Sequence, residues 1–189
     1  LLCFGYGQVA KNLISNLLKK KVNVNLTIST REKSSIKKLS NFEFENLEFS
    51  QNAYDKKILD KLNEFDYILI SVPPISSKDL FLEKLANHVS ENSKIKSILY
   101  LSSTSVYGDH NGAWVNEESE TKPKTKMGID RLHIENKWIE FSKKKKLPIQ
   151  IFRLAGIYSE KNNAVIRLQN KQSFLVVKEN HFFSRIHVK

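Results

Sequence analysis

The chain is poor in the residues on which several function classes depend. Cysteine occurs once, at Cys3, which excludes an internal disulfide and leads us to expect a reducing, cytoplasmic setting. Cys3 stands in an apolar run, where a thiol behaves as a small buried hydrophobe rather than a nucleophile. The five histidines show no spacing with cysteines or carboxylates suited to a metal. No apolar run approaches the ~18 residues of a membrane span. Neither a Gly-x-Ser-x-Gly elbow nor a P-loop lysine motif occurs. Methionine also occurs once, at Met127, so Leu1 is not an initiator. Leu1–Phe4 reads as a strand already under way, and Arg185–Lys189 stops within an apolar alternation, so a chain cut at both ends is expected.

Arginine is scarce although the formal net charge is +11: lysine supplies all but five of the 31 basic residues. The lysines scatter except at Lys19–Lys21 and Lys143–Lys146, both at expected helix C-termini, where they complement the helix dipole. No interleaving of aromatic and basic residues suggests a nucleic-acid module, so neither nucleic acid nor membrane is expected as a partner.

What is present is an alternation of strand and helix periods. Leu1–Phe4 is a short apolar strand, and Val9, Leu13, Leu17 and Leu18 follow helical spacing. Val22, Val24, Leu26 and Ile28 alternate as a strand. A polar helix is expected from Ser34 to Leu39, a weak strand from Phe44 to Phe49, and a short helix from Asp55 to Leu62. Tyr67–Val72 is a continuous apolar run, the mark of a strand buried on both faces. Leu80 to Val89 is the next helix and Ile95–Ser102 the next strand. A loop rich in Gly, Asn and Glu spans residues 108–124. Ile134, Trp138 and Phe141 mark one face of a helix, and Ile149–Leu154 is a further strand. Beyond Gly156 a helix over Asn163–Leu168 and strands over Phe174–Val177 and Phe183–Val188 are expected. This order implies a parallel sheet with helices on both faces.

Gly5-Tyr6-Gly7-Gln8-Val9-Ala10 lies between the first strand and the first helix. In that position Gly5 permits a tight turn, Gly7 lets a pyrophosphate approach the backbone, and Ala10 is small enough for helix–strand packing. The unpaired N–H groups at Gln8 and Val9 would then face the phosphates. A carboxylate about twenty residues past the glycines would bind a ribose 2′-hydroxyl. Here Ile28-Ser29-Thr30-Arg31 stands instead, and the hydroxyl of Thr30 and the guanidinium of Arg31 suit a 2′-phosphate, favouring NADP over NAD. Ser71, Val72 and Pro73 end the fourth expected strand and would wall the adenosine side of the crevice.

Three motifs occur in order: Gly5-x-Gly7-x-x-Ala10, Ser102-Ser103-Thr104-Ser105-Val106-Tyr107-Gly108 and Arg153-Leu154-Ala155-Gly156-Ile157-Tyr158. Together with Trp114, Glu117, Glu118, Pro123 and Arg185–Val188, they resemble the NAD(P)-dependent epimerase/dehydratase family, the extended and atypical short-chain dehydrogenases. The resemblance implies a Rossmann-type doubly wound parallel sheet, here truncated at both ends. Residues 1–155 would bind NAD(P), with Ser102 near the cofactor, and residues 156–189 would begin a substrate-binding part. It also implies a small polar or sugar-nucleotide substrate and a homodimer.

In the family, a serine three places before the valine polarises the substrate, which maps onto Ser103. A tyrosine with a lysine four residues on acts as the acid/base. Those two positions fall on Met127 and Arg131. A thioether transfers no proton, while Arg131 keeps a fixed positive charge for the nicotinamide ribose. Two readings follow. In one, the chain is an oxidoreductase or epimerase/dehydratase with another acid, Tyr107 or Lys126 before His110 or Asp109. In the other, it is a non-catalytic NADP(H)-binding sensor or structural protein.

Overall fold

The structure, a computed structural model, describes residues 1–172 and 182–189. In chain order the elements are β1 (Leu2–Phe4), α1 (Gln8–Lys19), β2 (Thr27–Thr30), β3 (Ser35–Leu39), β4 (Phe42–Glu48) and α2 (Lys57–Lys61). There follow β5 (Tyr67–Ile70), α3 (Leu80–Lys84), β6 (Ser97–Ser103), α4 (Lys126–Lys145) and β7 (Ile149–Leu154). The last are β8 (Gly156–Tyr158), α5 (Ala164–Gln169) and β9 (Arg185–His187).

Among the described residues, β3-β4-β2-β1-β5-β6-β7 form one sheet, while β8 and β9 pair apart from it. All pairings of the large sheet are parallel except β3 with β4. The chain runs outward from β1 to one edge and then crosses to β5 and on to the other. The carboxyl ends of β1 and β5 therefore flank the switch point at which such sheets bind ligands.

The central strands are apolar at consecutive positions because both their faces are covered. Leu2 and Phe4 join a core with Ile68, Ile70, Tyr100 and Trp138, under α2, α3 and α4. Cys3, between them, faces Ala10 and Ile14 of α1. Phe4, Phe81 and Trp138 lie ring against ring, with centroids 5.2 and 5.3 Å apart. Burial pushes the Cys3 thiol up to about 12, which removes it as a nucleophile. Among the described residues no helix is long and apolar enough to cross a membrane.

The polar helix expected at Ser34–Leu39 is instead the edge strand β3, antiparallel to β4. Ile36 and Leu39 have helical spacing, but Ser40 takes a left-handed φ of 55° and turns the chain back at once, so that Leu39 pairs Phe42. The second strand is also shorter than the alternation from Val22 implies. Its ladder with β1 begins at Leu2 against Thr27, and Val22, lacking a strand partner, is 45% exposed. The helix after β5 ends at Lys84 and continues only as a short 3-10 turn at Ala86–His88. The strand expected at Phe174–Val177 lies outside the described residues. Both lysine runs end helices as expected, with Lys146 closing α4 in the left-handed conformation at φ 53°.

Candidate dinucleotide and active site

The candidate phosphate loop, Gly5–Ala10, is built by β1 handing over to α1. Gly5 takes φ +93°, and a Cβ there would fall 2.6 Å from Ser71 Oγ and 3.1 Å from Val72 Cγ2. The Ser71 hydroxyl lies 2.9 Å from the Phe4 carbonyl and so braces this turn from β5. Gly7 is different. Its φ of −81° suits any residue, and a Cβ added to it would meet nothing within 4 Å among the described residues. Neither backbone nor neighbour demands a glycine at Gly7, so its absent side chain leaves room on the open side of the loop.

Gly7 is also the N-cap of α1, with no side-chain cap bond and no acidic residue in the first turn. The first intrahelical bond runs from Lys11 N–H to the Gly7 carbonyl, which leaves the Gln8, Val9 and Ala10 N–H groups at the positive helix end. Ala10 is fully buried against the sheet, and Val9 is half-buried.

At the end of β2 the Thr30 hydroxyl donates to Asn46 Oδ1 at 2.8 Å and accepts from Glu32 N–H at 3.2 Å. It shapes the turn rather than pointing free. Asn46, fully buried on β4, also donates from Nδ2 to the Lys33 carbonyl at 3.1 Å. Arg31 is exposed at this corner. The neighbouring Glu32 is ion-paired with Lys37, whose hydrogen bond holds the carboxyl below its ordinary range. The residues picked from sequence in the loop, at Thr30–Arg31 and at Ser71–Pro73 thus meet along the carboxyl ends of β1, β2 and β5; Pro73 is exposed and Val72 half-buried.

The second half of the site grows from β6. Ser102 is buried, and its hydroxyl has no partner among the described residues. Ser103 caps the 3-10 turn at Thr104–Val106, its Oγ accepting from Ser105 N–H at 3.2 Å. That bond uses a lone pair and leaves the hydroxyl proton for another acceptor. Tyr107 follows, 6% exposed, with the Arg153 guanidinium 4.8 Å above its ring. Arg153 is held by Glu135, itself 1% exposed, through Nη2 to Oε2 at 2.8 Å and Nε to Oε1 at 3.2 Å. Those hydrogen bonds raise the Arg153 pKa. Gly108, at φ +72°, passes so close to the returning loop that a Cβ would lie 2.1 Å from the Lys122 carbonyl oxygen. His110 Nε2 lies 3.1 Å from the carbonyl oxygens of Tyr107 and Glu120, so His110 organises this loop.

Helix α4 brings its first turn to the Ser103 turn. Thr125 caps it by accepting from Gly128 N–H at 3.1 Å, and Gly128 is buried against that turn. A Cβ on Gly128 would lie 2.5 Å from the Ser105 carbonyl oxygen. Met127 beside it is 65% exposed. The Arg131 guanidinium turns back to β6, donating to the Leu101 carbonyl at 2.7 Å and lying 3.4 Å from the Tyr100 hydroxyl. Burial pushes that phenol up to about 12 despite the arginine. Asp130 accepts from Ser77 at 2.6 Å and from Lys126 at 2.9 Å, and these bonds hold its carboxyl below its usual range. Ser77 belongs to the turn after β5, so α4 is tied to that strand as well.

Sequence reasoning missed Asn46 and the Glu135–Arg153 pair. A single Asn in the otherwise alternating Phe42–Phe49 run was the available signal for the first. Among the described residues there is no group of three His, Cys, Asp or Glu that could hold a metal ion.

A protein-family model for the NAD dependent epimerase/dehydratase family matches residues 5–173. Among solved structures, a functionally unknown conserved protein from Silicibacter pomeroyi is 26% identical, with a TM-score of 0.74 over 99% of this chain and 63% of its own. UDP-N-acetylglucosamine 4-epimerase from Bacillus cereus is 20% identical, with a TM-score of 0.63 over 84% of this chain and 54% of its own. UDP-glucuronic acid 4-epimerase from Bacillus cereus, solved with NAD, is 20% identical, with a TM-score of 0.66 over 90% of this chain and 61% of its own. The two epimerases share the fold. This chain spans between 54% and 63% of the length of these three proteins. No curated protein matches it significantly. With a glycine loop between the first strand and the first helix of a sheet of this order, and the family model matching residues 5–173, the chain belongs to the NAD-dependent epimerase/dehydratase family.

Proposed function

We propose that residues 1–155 bind NADP(H) and serve an oxidoreductase or epimerase/dehydratase acting on a small polar or sugar-nucleotide substrate. Gly7 carries this reading, because the vacancy beside it is required by nothing among the described residues and opens at the positive end of α1. Gly5, Gly7, Gln8 and Val9 would hold the pyrophosphate, and Ser71, Val72 and Pro73 would wall the crevice. Arg31 would meet a 2′-phosphate; support comes from the pairing of its acidic neighbour Glu32 with Lys37. When bound, the dinucleotide supplies hydride transfer at its nicotinamide.

Ser103, with its hydroxyl proton unspent, would donate to a substrate oxygen, and Ser102 lies beside it with a buried, unpartnered hydroxyl. Tyr107 is packed under Arg153, which favours a supporting role in the wall over proton transfer. Residues 156–189, whose β8–β9 pair stands apart from the main sheet, would open the substrate-binding part. A homodimer in the cytoplasm completes the proposal.

The second reading is a non-catalytic NADP(H)-binding sensor. The site favours it at one point: Met127 offers no proton, and Arg131 is already engaged by the Leu101 carbonyl. Calorimetric titration of NADPH and NADH into the protein tests the cofactor. NADPH should bind at least about tenfold more tightly than NADH, and Arg31→Ala should remove the difference. No binding of either sinks both readings. NADPH oxidation across a panel of carbonyl substrates then separates them: an enzyme turns over and loses turnover in Ser103→Ala, whereas a sensor binds without turnover.

A further inference from the structure

The phosphate loop is joined to a segment far along the chain. Asn162 Nδ2 donates to Gln8 Oε1 at 3.3 Å, across a separation of 154 residues. Asn162 Oδ1 in turn accepts from Arg167 Nη2 on α5, also at 3.3 Å. The Asn162 backbone is itself fixed, its N–H lying 3.1 Å from Ser159 Oγ and 3.2 Å from the Ser159 carbonyl. At the other end of this series the Gln8 Nε2 group is buried and has no hydrogen-bond partner among the described residues.

The polarity of this series is set by chemistry. A guanidinium only donates, so the atom of Asn162 that faces Arg167 must be its oxygen. The Asn162 amide nitrogen then faces Gln8, and the atom of Gln8 that meets it must be an oxygen. The Gln8 NH2 group is left over. Gln8 is the first residue of α1, so this orphaned donor sits at the helix end whose N–H groups already favour an anion. A buried amide donor without an acceptor is costly. A phosphate oxygen at the loop would satisfy it.

We infer that Asn162 is a positioning residue for the phosphate loop: it orients the Gln8 amide so that the NH2 group, and not the oxygen, is offered to the dinucleotide phosphates. The inference rests on the cofactor reading proposed above. It also gives the segment after β8 a part in cofactor binding, through one side chain that touches no ligand itself. Loss of Asn162 frees the Gln8 amide to rotate. An aspartate at the same place accepts and cannot donate, so it draws the Gln8 NH2 group toward itself and turns the oxygen toward the phosphates.

The test is a mutant cycle on the whole chain, read by calorimetric NADPH affinity and by thermal unfolding without cofactor. Asn162→Ala should weaken NADPH about fivefold and Asn162→Asp about tenfold or more, with Gln8→Ala comparable to the first. In the Gln8→Ala background neither change at Asn162 should weaken binding further. Unchanged affinity in Asn162→Ala, with only a lower unfolding temperature, overturns the inference while leaving the cofactor reading intact. So does an Asn162→Asp loss that persists without Gln8, since simple charge repulsion then explains it. A wild-type chain that binds neither NADPH nor NADH overturns the cofactor reading, and this inference with it.

Discussion

Replacing Gly128 with alanine tests how α4 is seated against the Ser103 turn. In an ordinary helix interior this change stabilises by about 1 kcal/mol, because glycine loses more backbone freedom on folding. Here the new methyl would lie 2.5 Å from the Ser105 carbonyl oxygen and 2.8 Å from Pro123 Cβ. The nearer obstacle is backbone, in a turn closed by Tyr107 N–H on the Thr104 carbonyl at 3.1 Å, so it cannot rotate aside. Overpacking of this kind costs about 1–3 kcal/mol, and a rigid obstacle places the cost toward the upper end. The clash therefore outweighs the propensity gain, and a net loss of about 1–2 kcal/mol is expected. At this chain length that lowers Tm by about 2–8 °C. Differential scanning calorimetry of Gly128→Ala beside wild type reads it directly. A parallel Gly7→Ala variant should unfold within about 1 kcal/mol of wild type, the scale of an alanine at an N-cap, yet lose NADPH affinity. A Gly128→Ala protein as stable as wild type, or more so, would refute the packing of α4 on the Ser103 turn.

Three other perturbations probe the surroundings of the site. Arg153→Met strands the buried Glu135 carboxylate without its counter-ion, and urea unfolding should show a loss of about 3 kcal/mol or more, part of it recovered in Arg153→Lys. Asp79, buried at the start of α3, has its pKa raised by burial, although it accepts from Phe81 and Leu82 N–H at 2.9 and 3.1 Å and from the Trp138 indole at 3.3 Å. A carboxyl raised in the folded state binds its proton more tightly there, so its contribution is greatest below the unfolded value of about 3.9 and is lost as pH rises. Unfolding free energies of Asp79→Asn and wild type should thus shift in favour of the mutant between pH 4.5 and pH 7.5; a shift the other way would contradict the burial account. Finally, Cys3, with its thiol pushed up to about 12, should resist iodoacetamide at pH 8 in the native protein and react fully in urea. Labelling at equal rates in both would show that β1 is not buried as described.

Much of the fold was legible because it rests on local periods. The continuous apolar runs of β5 and β6 and the three-and-four spacing of Ile134, Trp138 and Phe141 identified elements that the structure contains. Ser34–Leu39 misled because Ile36 and Leu39 fit a helix as well as an edge strand. The choice was made by the turn at Ser40 and by pairing with β4, which no window of six residues can display. Likewise the glycines of the loop were visible, but that Gly5 is needed for its φ and Gly7 only for the space beside it became clear from their neighbours.

The sequence by itself determined most of the order of strands and helices and the placing of the Gly5–Ala10 loop between the first strand and the first helix. Each of these follows from residue type and near-neighbour spacing. Tertiary structure decided where the polar side chains spend their hydrogen bonds: Arg131 on the Leu101 carbonyl, Thr30 on Asn46, Arg153 on Glu135, Gln8 on Asn162. Such partners lie between 16 and 154 residues apart, and a hydrogen bond across that distance imposes no period on the chain. It depends only on which donors and acceptors the folded sheet and helices bring within reach, and on the cost of burying any that are left over.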